Sequence, residues 1–108
     1  MYWYNICMEE IRILSKSEIK DAMHGLPGWT FADDALIKMF KFNDFVASVN
    51  YLNKLLPFFE EFQHHPNIHI FYNRISFDLT SHDYGNKVTN LDTFIAKGIE
   101  KEYKQFMK

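Results

Sequence analysis

Apolar and polar residues alternate most regularly over residues 74–80, where Ile, Phe and Leu occupy every second position. This two-residue period predicts a β-strand with one buried face. Another strand-like run, 68–72, precedes it, and the connection through Asn73 predicts a hairpin. Residues 29–31 and 36–42 predict a second hairpin around an Ala-Asp-Asp turn. Apolar residues occupy both phases of the run 36–42, so its inward face stays open.

Two capping boxes mark the starts of the first and the last predicted helix. Ser15 and Glu18 have the spacing that a capping box requires, and so do Thr89 and Asp92. Gly25 is placed to end the first helix in the left-handed conformation that glycine adopts readily. The predicted buried face of the last helix consists of Leu91, Phe94, Ile95, Ile99, Tyr103 and Phe106.

A long central helix is predicted from Asn43 or Asp44 to about Phe62, with a bend at Pro57. It carries two apolar stripes. The first stripe is Phe45, Val49, Leu52, Leu56 and Phe59, and the second stripe is Tyr51, Leu55, Phe58 and Phe62. One sheet face does not easily cover both. The second stripe therefore either packs under loops and the last helix or forms an interface with another subunit.

The order of elements, α-β-β-α-β-β-α, predicts an α+β fold in which a four-stranded antiparallel sheet has three helices packed on one face. The chain has 108 residues, of which 47% are hydrophobic and 18% aromatic. This composition argues against disorder and predicts a single domain over residues 1–108. Residues 1–13 form a leader whose structure the pattern does not define.

The charge and the cysteine content exclude several classes of protein. A net charge of −2, with 12 basic and 14 acidic residues mixed along the chain, provides no basic tract for direct nucleic-acid binding. Cys7 is the single cysteine and cannot form an internal disulfide, which agrees with a reducing compartment. The sequence has neither a signal-peptide pattern nor an apolar run of ~20 residues, so we expect a cytoplasmic protein without a membrane span.

Histidines supply the candidate chemistry. His64 and His65 fall on the last turn of the central helix, which Pro66 ends, and the hairpin that follows returns His82 toward them. Imidazole, with an unperturbed pKa of about 6.5, both donates and accepts protons near neutral pH. Three histidines in one cleft would therefore suit acid and base catalysis.

Two other interpretations of the histidines stay open. Adjacent histidines at a helix end can act as solvated caps of its carbonyl groups. Four histidines also provide enough nitrogen ligands for zinc, namely His64, His65, His69 and His82. We nevertheless expect no metal, because His69 alternates out of phase with its apolar neighbours and the carboxylate pattern of a catalytic zinc helix is absent.

The same residues resemble the signature of the pterin-4a-carbinolamine dehydratases. The similar motifs are His64-His65-Pro66, Tyr72-Asn73 and Thr80-Ser81-His82-Asp83, followed by Asp92. A Leu-Pro-Gly-Trp turn at 26–29 and a Phe-x-Phe-x-x-Phe segment at 40–45 support the likeness, which covers residues 14–102. Four features depart from the family pattern. Gln63 replaces the usual Asn or Asp, Ile68 replaces a common aromatic residue, Ile70 replaces a polar one, and the loop 85–88 is one residue longer than the usual Gly-Gly-Leu.

The resemblance implies a set of site residues. The catalytic positions are His64, His65 and His82, supported by Glu60 and Asp92. The residues implied in substrate binding are Gln63, His64, His65, Thr80, Ser81, His82 and Asp83. We favour His64 and His82 for proton transfer and His65 for binding, without distinguishing the acid from the base. Proton transfer needs no metal or redox cofactor, so none is expected, and the pterin is the substrate.

The function that the resemblance implies is that of a hydro-lyase. It would remove water from 4a-hydroxytetrahydrobiopterin to give quinonoid dihydropterin, in tetrahydrobiopterin recycling, and a homodimer or homotetramer is expected. The alternative is a non-enzymatic interaction module that stabilises a partner's dimer, since animal members of the family also bind a homeodomain transcription factor. The second stripe would then be the contact surface, and charging Leu55 or Phe58 would disrupt it.

Overall fold

The structure, a computed structural model, describes residues 10–108. The helices in this part of the chain are α1 (Lys16–Met23), α2 (Phe45–Glu61) and α3 (Asn90–Phe106). The strands are β1 (Thr30–Ala32), β2 (Ala35–Lys41), β3 (Asn67–Phe71) and β4 (Arg74–Leu79). They form one antiparallel sheet in the order β1-β2-β4-β3, which confirms the predicted α+β fold. Cys7 and the first nine residues of the leader lie outside the described residues.

Two tight turns set the register of the sheet. Asp33 and Asp34, with φ of 51° and 59°, both adopt the left-handed backbone that a two-residue type I′ turn requires. In the second hairpin Tyr72 has a φ of 55°. The backbone N–H of Phe42 donates to the Asn73 carbonyl (2.8 Å), and the Asn73 side-chain amide donates back to the Phe42 carbonyl (3.1 Å). The end of β2 is therefore tied to the β3–β4 turn.

Pairing with β4 decides the inward face of β2, which the sequence left open. Leu36 lies opposite Leu79, Phe40 lies opposite Ile75, and all four side chains are buried. Directly opposed residues of an antiparallel pair lie on the same face of the sheet. Met39 is consequently on the other face, where it is 53% exposed.

Helices α2 and α3 cover one face of the sheet. Tyr51 and Leu55 of the second stripe are fully buried, and Phe58 lies so close to Gly98 of α3 that no side chain would fit between them. Of the two alternatives for the second stripe, the structure therefore supports packing under the last helix rather than a contact surface. The exposed apolar side chains of α2 lie elsewhere: they are Phe45, Val46 and Leu56.

A buried hydrogen bond joins α2 to α3. The Tyr51 hydroxyl donates to the backbone carbonyl of Ile99 (2.6 Å). Burial, with a further contribution from the negative charge of Glu100, raises the pKa of Tyr51. The hydroxyl therefore stays protonated and remains a donor inside the core.

Gly25 does not end α1 in the predicted left-handed conformation. The backbone N–H groups of residues 24–26 instead bond to carbonyls three residues earlier, at 3.0–3.2 Å, so a tight right-handed turn continues past the helix. The left-handed glycine comes later, at Gly28 with a φ of 87°. A Cβ added there would lie 3.0 Å from the Lys38 side chain, so both the backbone and the space favour glycine.

The predicted helix caps are confirmed. Ser15 and Glu18 form the capping box of α1, Thr89 and Asp92 form that of α3, and Asp44 caps α2. Each cap satisfies backbone N–H groups that a helix leaves without partners. Within residues 10–108, no helix combines the length and the apolar content that crossing a membrane would require.

Gly98→Ala should destabilise the fold. The new Cβ would lie 2.3 Å from the nearest atom of the Phe58 ring, which packs against the rings of Phe62 and Phe94, so this ring would have to leave its present position. Overpacking typically costs about 1–3 kcal/mol, more than the ~1 kcal/mol gained by replacing a helical glycine. We therefore expect a lower midpoint of urea unfolding.

The matched control for this prediction is Gly25→Ala. Its nearest neighbour would be the Ala22 carbonyl at 3.7 Å, and its backbone is not left-handed, so the midpoint should be unchanged or raised. Equal midpoints for the Gly98 variant and the wild-type protein would contradict close contact between the two helices.

Candidate active site

A cavity of about 420 Å³ lies where the end of α2 meets the loop that follows β4. It is lined by three histidines from two separate parts of the chain, the adjacent pair His64 and His65 and the distant His82. The full set of lining residues is Ile11, Phe62, Gln63, His64, His65, Ser81, His82, Asp83, Tyr84 and Leu91. The sequence-predicted convergence of imidazoles is therefore present in the fold.

The chain leaves α2 through a sharp turn that directs His64 inward. Gln63 adopts a left-handed backbone with a φ of 48°, and its side-chain amide donates to the Glu60 carbonyl (2.7 Å). The backbone N–H of His64 then donates to the Phe59 carbonyl (3.1 Å). Asn and Asp tolerate this conformation better than glutamine does, which gives a physical reason for the Asn or Asp usual in the family that the motif resembles.

His64 is buried against a carboxylate. Its Nε2 lies 2.5 Å from Oδ1 of Asp92, which is completely inaccessible to solvent. The other oxygen, Oδ2, accepts from the Ser81 hydroxyl (2.8 Å) and from the backbone N–H of Thr89 (2.9 Å). Because a carboxylate oxygen accepts, His64 Nε2 carries the proton of this bond. Nδ1 is then the ring nitrogen that can meet a ligand.

Asp92 therefore has two structural roles. It completes the capping box of α3 with one oxygen and holds His64 with the other. Ser81, implied as a substrate-binding residue, is itself buried and directs its hydroxyl to Asp92 and Thr89 rather than into open space.

His65 forms a second histidine–carboxylate pair of a different kind. Its Nε2 lies 2.6 Å from Oε2 of Glu60, but the two side chains are 58% and 66% exposed. Water and salt screen a pair in this position, so its contribution to stability is small. The ring of His65 therefore lines the cavity from an exposed position in which Glu60 holds it only weakly.

His82 begins a short 3₁₀ turn, His82–Tyr84, that follows β4. Its Nδ1 lies 2.7 Å from Oδ1 of Asn86. Gly85 and Asn86 both have left-handed backbones, with φ of 72° and 60°. The loop therefore reverses direction and brings Asn86 next to the imidazole of His82.

The remaining predicted residues are distributed unevenly. Gln63 and Asp83 line the cavity, whereas Thr80 does not, and its hydroxyl donates to the Asp34 carbonyl (2.9 Å). His69 faces away from the cavity and lies 3.8 Å from Asp78. Among residues 10–108, no group of three or more His, Cys, Asp or Glu side chains is arranged to hold a metal ion.

Several lining residues were not predicted as part of a site. Phe62 and Leu91 were assigned only as apolar helix positions, and Tyr84 lies in a loop without periodicity. Ile11 comes from the leader. Residues 12–14 pair with residues 88–90 through bonds that include the Leu14 N–H to the Val88 carbonyl (3.0 Å). A single pairing of this kind leaves no repeating signal in the sequence.

Comparisons with known proteins agree with this architecture. The model of a family described as pterin 4 alpha carbinolamine dehydratase matches residues 12–102. A protein of Metallosphaera sedula is 41% identical over 81% of this chain and 90% of its own length, and one of Sulfurisphaera tokodaii is 38% identical over 81% and 92%. Both are named "Putative pterin-4-alpha-carbinolamine dehydratase".

A solved structure is also similar. The crystal structure of a transcriptional coactivator/pterin dehydratase from Brucella melitensis superimposes with a TM-score of 0.79 at 31% identity. The match covers 84% of this chain and 98% of the Brucella chain. The similarity in sequence and the similarity in fold thus cover comparable shares of this chain, 81% and 84%.

Asp92→Ala should destabilise the protein strongly, because it leaves the His64 Nε2–H, the Ser81 hydroxyl and the Thr89 N–H without their buried acceptor. Removing one partner of a buried pair typically costs about 3–5 kcal/mol. Glu60→Ala is the matched control, since its pair is exposed, and it should stay within about 0.5 kcal/mol of wild type. Urea unfolding of both variants measures the difference, and similar losses would contradict the distinction between the two pairs.

Proposed function

Because this chain belongs to the pterin 4 alpha carbinolamine dehydratase family, we propose that it removes water from 4a-hydroxytetrahydrobiopterin and releases quinonoid dihydropterin. This hydro-lyase activity would serve tetrahydrobiopterin recycling. The observation that carries the proposal is the cavity that His64, His65 and His82 line together. Its volume, about 420 Å³, falls within the range of roughly 300–1,000 Å³ typical of small-molecule sites.

The chemistry of the reaction matches what imidazoles can supply. An acid protonates the hydroxyl on C4a, the C–O bond breaks, and water leaves. The lone pair of the neighbouring N5 forms the C=N bond, and a base removes the N5 proton. Each well-placed proton transfer contributes about 10²- to 10⁴-fold in rate, and neither step requires a metal or a redox cofactor.

The surroundings of the three histidines differ, and we use these differences to assign the acid, the base and the binding residue. The carboxylate of Asp92, 2.5 Å from His64, offsets the positive charge that His64 carries whenever it holds a proton to donate. His82 has a neutral amide as its partner, which suits an imidazole that must be free to accept. His65 is more exposed and pairs with Glu60 at the surface, so we assign it to binding the pterin together with Gln63 and Asp83.

The double variant His64→Ala/His82→Ala should lose dehydratase activity by at least about 10²-fold, since it removes both proposed proton-transfer groups. The measurement is the decay of enzymatically generated carbinolamine in the presence of purified protein, with circular dichroism as the check on folding. His69→Ala is the matched control, because His69 lies outside the cavity and should leave the rate unchanged. A double variant as active as wild type would remove the basis of the proposal.

A second candidate function is an interaction module that stabilises a partner's dimer. Two observations favour keeping it: the Brucella relative is described as both a transcriptional coactivator and a pterin dehydratase, and α2 exposes Phe45, Val46 and Leu56. Partner binding that persists in the double histidine variant would separate this function from catalysis. The same apolar residues would also serve a homodimer or homotetramer.

Leu56→Glu should weaken self-association, because it places a charge at an apolar position that is 45% exposed. Analytical ultracentrifugation should find wild type as a dimer or tetramer and the variant at a lower mass. The control is Lys54→Glu, which changes the charge at an exposed site on the same helix. A wild-type protein that sediments as a monomer would refute this use of α2.

A further inference from the structure

The contact between His82 and Asn86 defines where His82 carries its proton. Nδ1 of the imidazole lies 2.7 Å from Oδ1 of Asn86. An amide oxygen has no hydrogen to give, so the proton of this bond belongs to Nδ1. A neutral imidazole with its proton on Nδ1 has its lone pair on Nε2.

We propose that Asn86 is a positioning residue that fixes the tautomer and the orientation of His82, so that Nε2 is the base that takes the N5 proton. This inference rests on the proposed dehydratase function and deepens it. It distinguishes the two histidines assigned to proton transfer: His82 accepts through Nε2, and His64, held by Asp92, donates.

The loop holds Asn86 rigidly enough for this role. Its backbone N–H donates to the Ser81 carbonyl (3.0 Å), and the Ser81 N–H donates to the Lys87 carbonyl (2.9 Å), so the loop closes on itself. The left-handed φ of 60° at Asn86 is one that asparagine adopts more readily than most residues. The closed loop and the left-handed backbone together place the Asn86 side chain within hydrogen-bond distance of His82.

The neutral character of Asn86 matters as much as its geometry. A carboxylate in its place would stabilise the imidazolium and retain the proton that the base has taken. An amide orients the ring without adding charge. The titratable groups that face His82 are Asp83 and Tyr84 on its own loop and His64 and His65 across the cavity, and all of them stay unchanged in the variants below.

Asn86→Gly and Asn86→Asp form a matched pair of variants. Glycine and aspartate both tolerate the left-handed backbone, so the loop should keep its shape in each. Asn86→Gly removes the acceptor and should lower kcat by about 10- to 100-fold with little change in KM, as loss of an orienting partner typically does. Asn86→Asp keeps the acceptor and should retain more activity, while the acidic limb of its pH–rate profile moves to higher pH. Lys87→Ala, which breaks an exposed ion pair in the same loop, should have no effect on kcat.

Nitrogen NMR of the imidazole rings gives a readout that a purely structural role would not change. Wild type should show the proton of neutral His82 on Nδ1, and Asn86→Gly should show a mixture of tautomers. A wild-type ring with its proton on Nε2 would overturn this inference alone, as would an Asn86→Gly variant with wild-type kcat and pH profile. A wild-type protein that does not speed carbinolamine decay, whatever its tautomer, would overturn the proposed function and the base assignment together.

Discussion

A carboxylate that is fully buried must have its oxygens occupied by donors, and the requirement to satisfy Asp92 holds the site together. Its donors come from three separate parts of the chain: His64 after α2, Ser81 after β4, and Thr89 at the start of α3. A buried charge without partners would lower the folding stability by several kcal/mol. The folded state therefore favours the arrangement in which all three segments meet at Asp92. The cavity lies beside that point because the same segments form its walls.

The two histidine–carboxylate pairs illustrate how burial separates similar contacts. The His64–Asp92 and His65–Glu60 pairs have nearly equal nitrogen–oxygen distances, 2.5 and 2.6 Å, but only the first is shielded from water. The interaction between charges weakens as the dielectric constant around them rises. The buried pair therefore contributes to the stability of the fold, whereas the exposed pair contributes little. Adjacent residues on one turn thus acquire different properties: His64 is fixed, and His65 can adjust to a ligand.

The parts of this structure that were predicted from sequence are those with local causes. Strand alternation in β4 and the Thr89–Asp92 capping box depend on residues within a few positions of one another, and both are confirmed. The inward face of β2 depends on which strand pairs with it, and the covered stripe of α2 depends on the approach of Phe58 to Gly98. Neither relation leaves a periodic signal. The prediction for Gly25 was wrong for a different reason, because local hydrogen bonds between residues three positions apart continue the right-handed turn that the glycine was expected to end.

The loop between β4 and α3 links the two histidines assigned to proton transfer. Ser81 contributes to both sides of the site, because its hydroxyl donates to Asp92, the partner of His64, and its carbonyl accepts from the N–H of Asn86, the partner of His82. A shift of Ser81 would therefore disturb both partners at once. The same loop contains Asn86, whose side-chain oxygen lies 2.7 Å from Nδ1 of His82. Residues of this one connection therefore contact both the carboxylate partner of His64 and His82 itself.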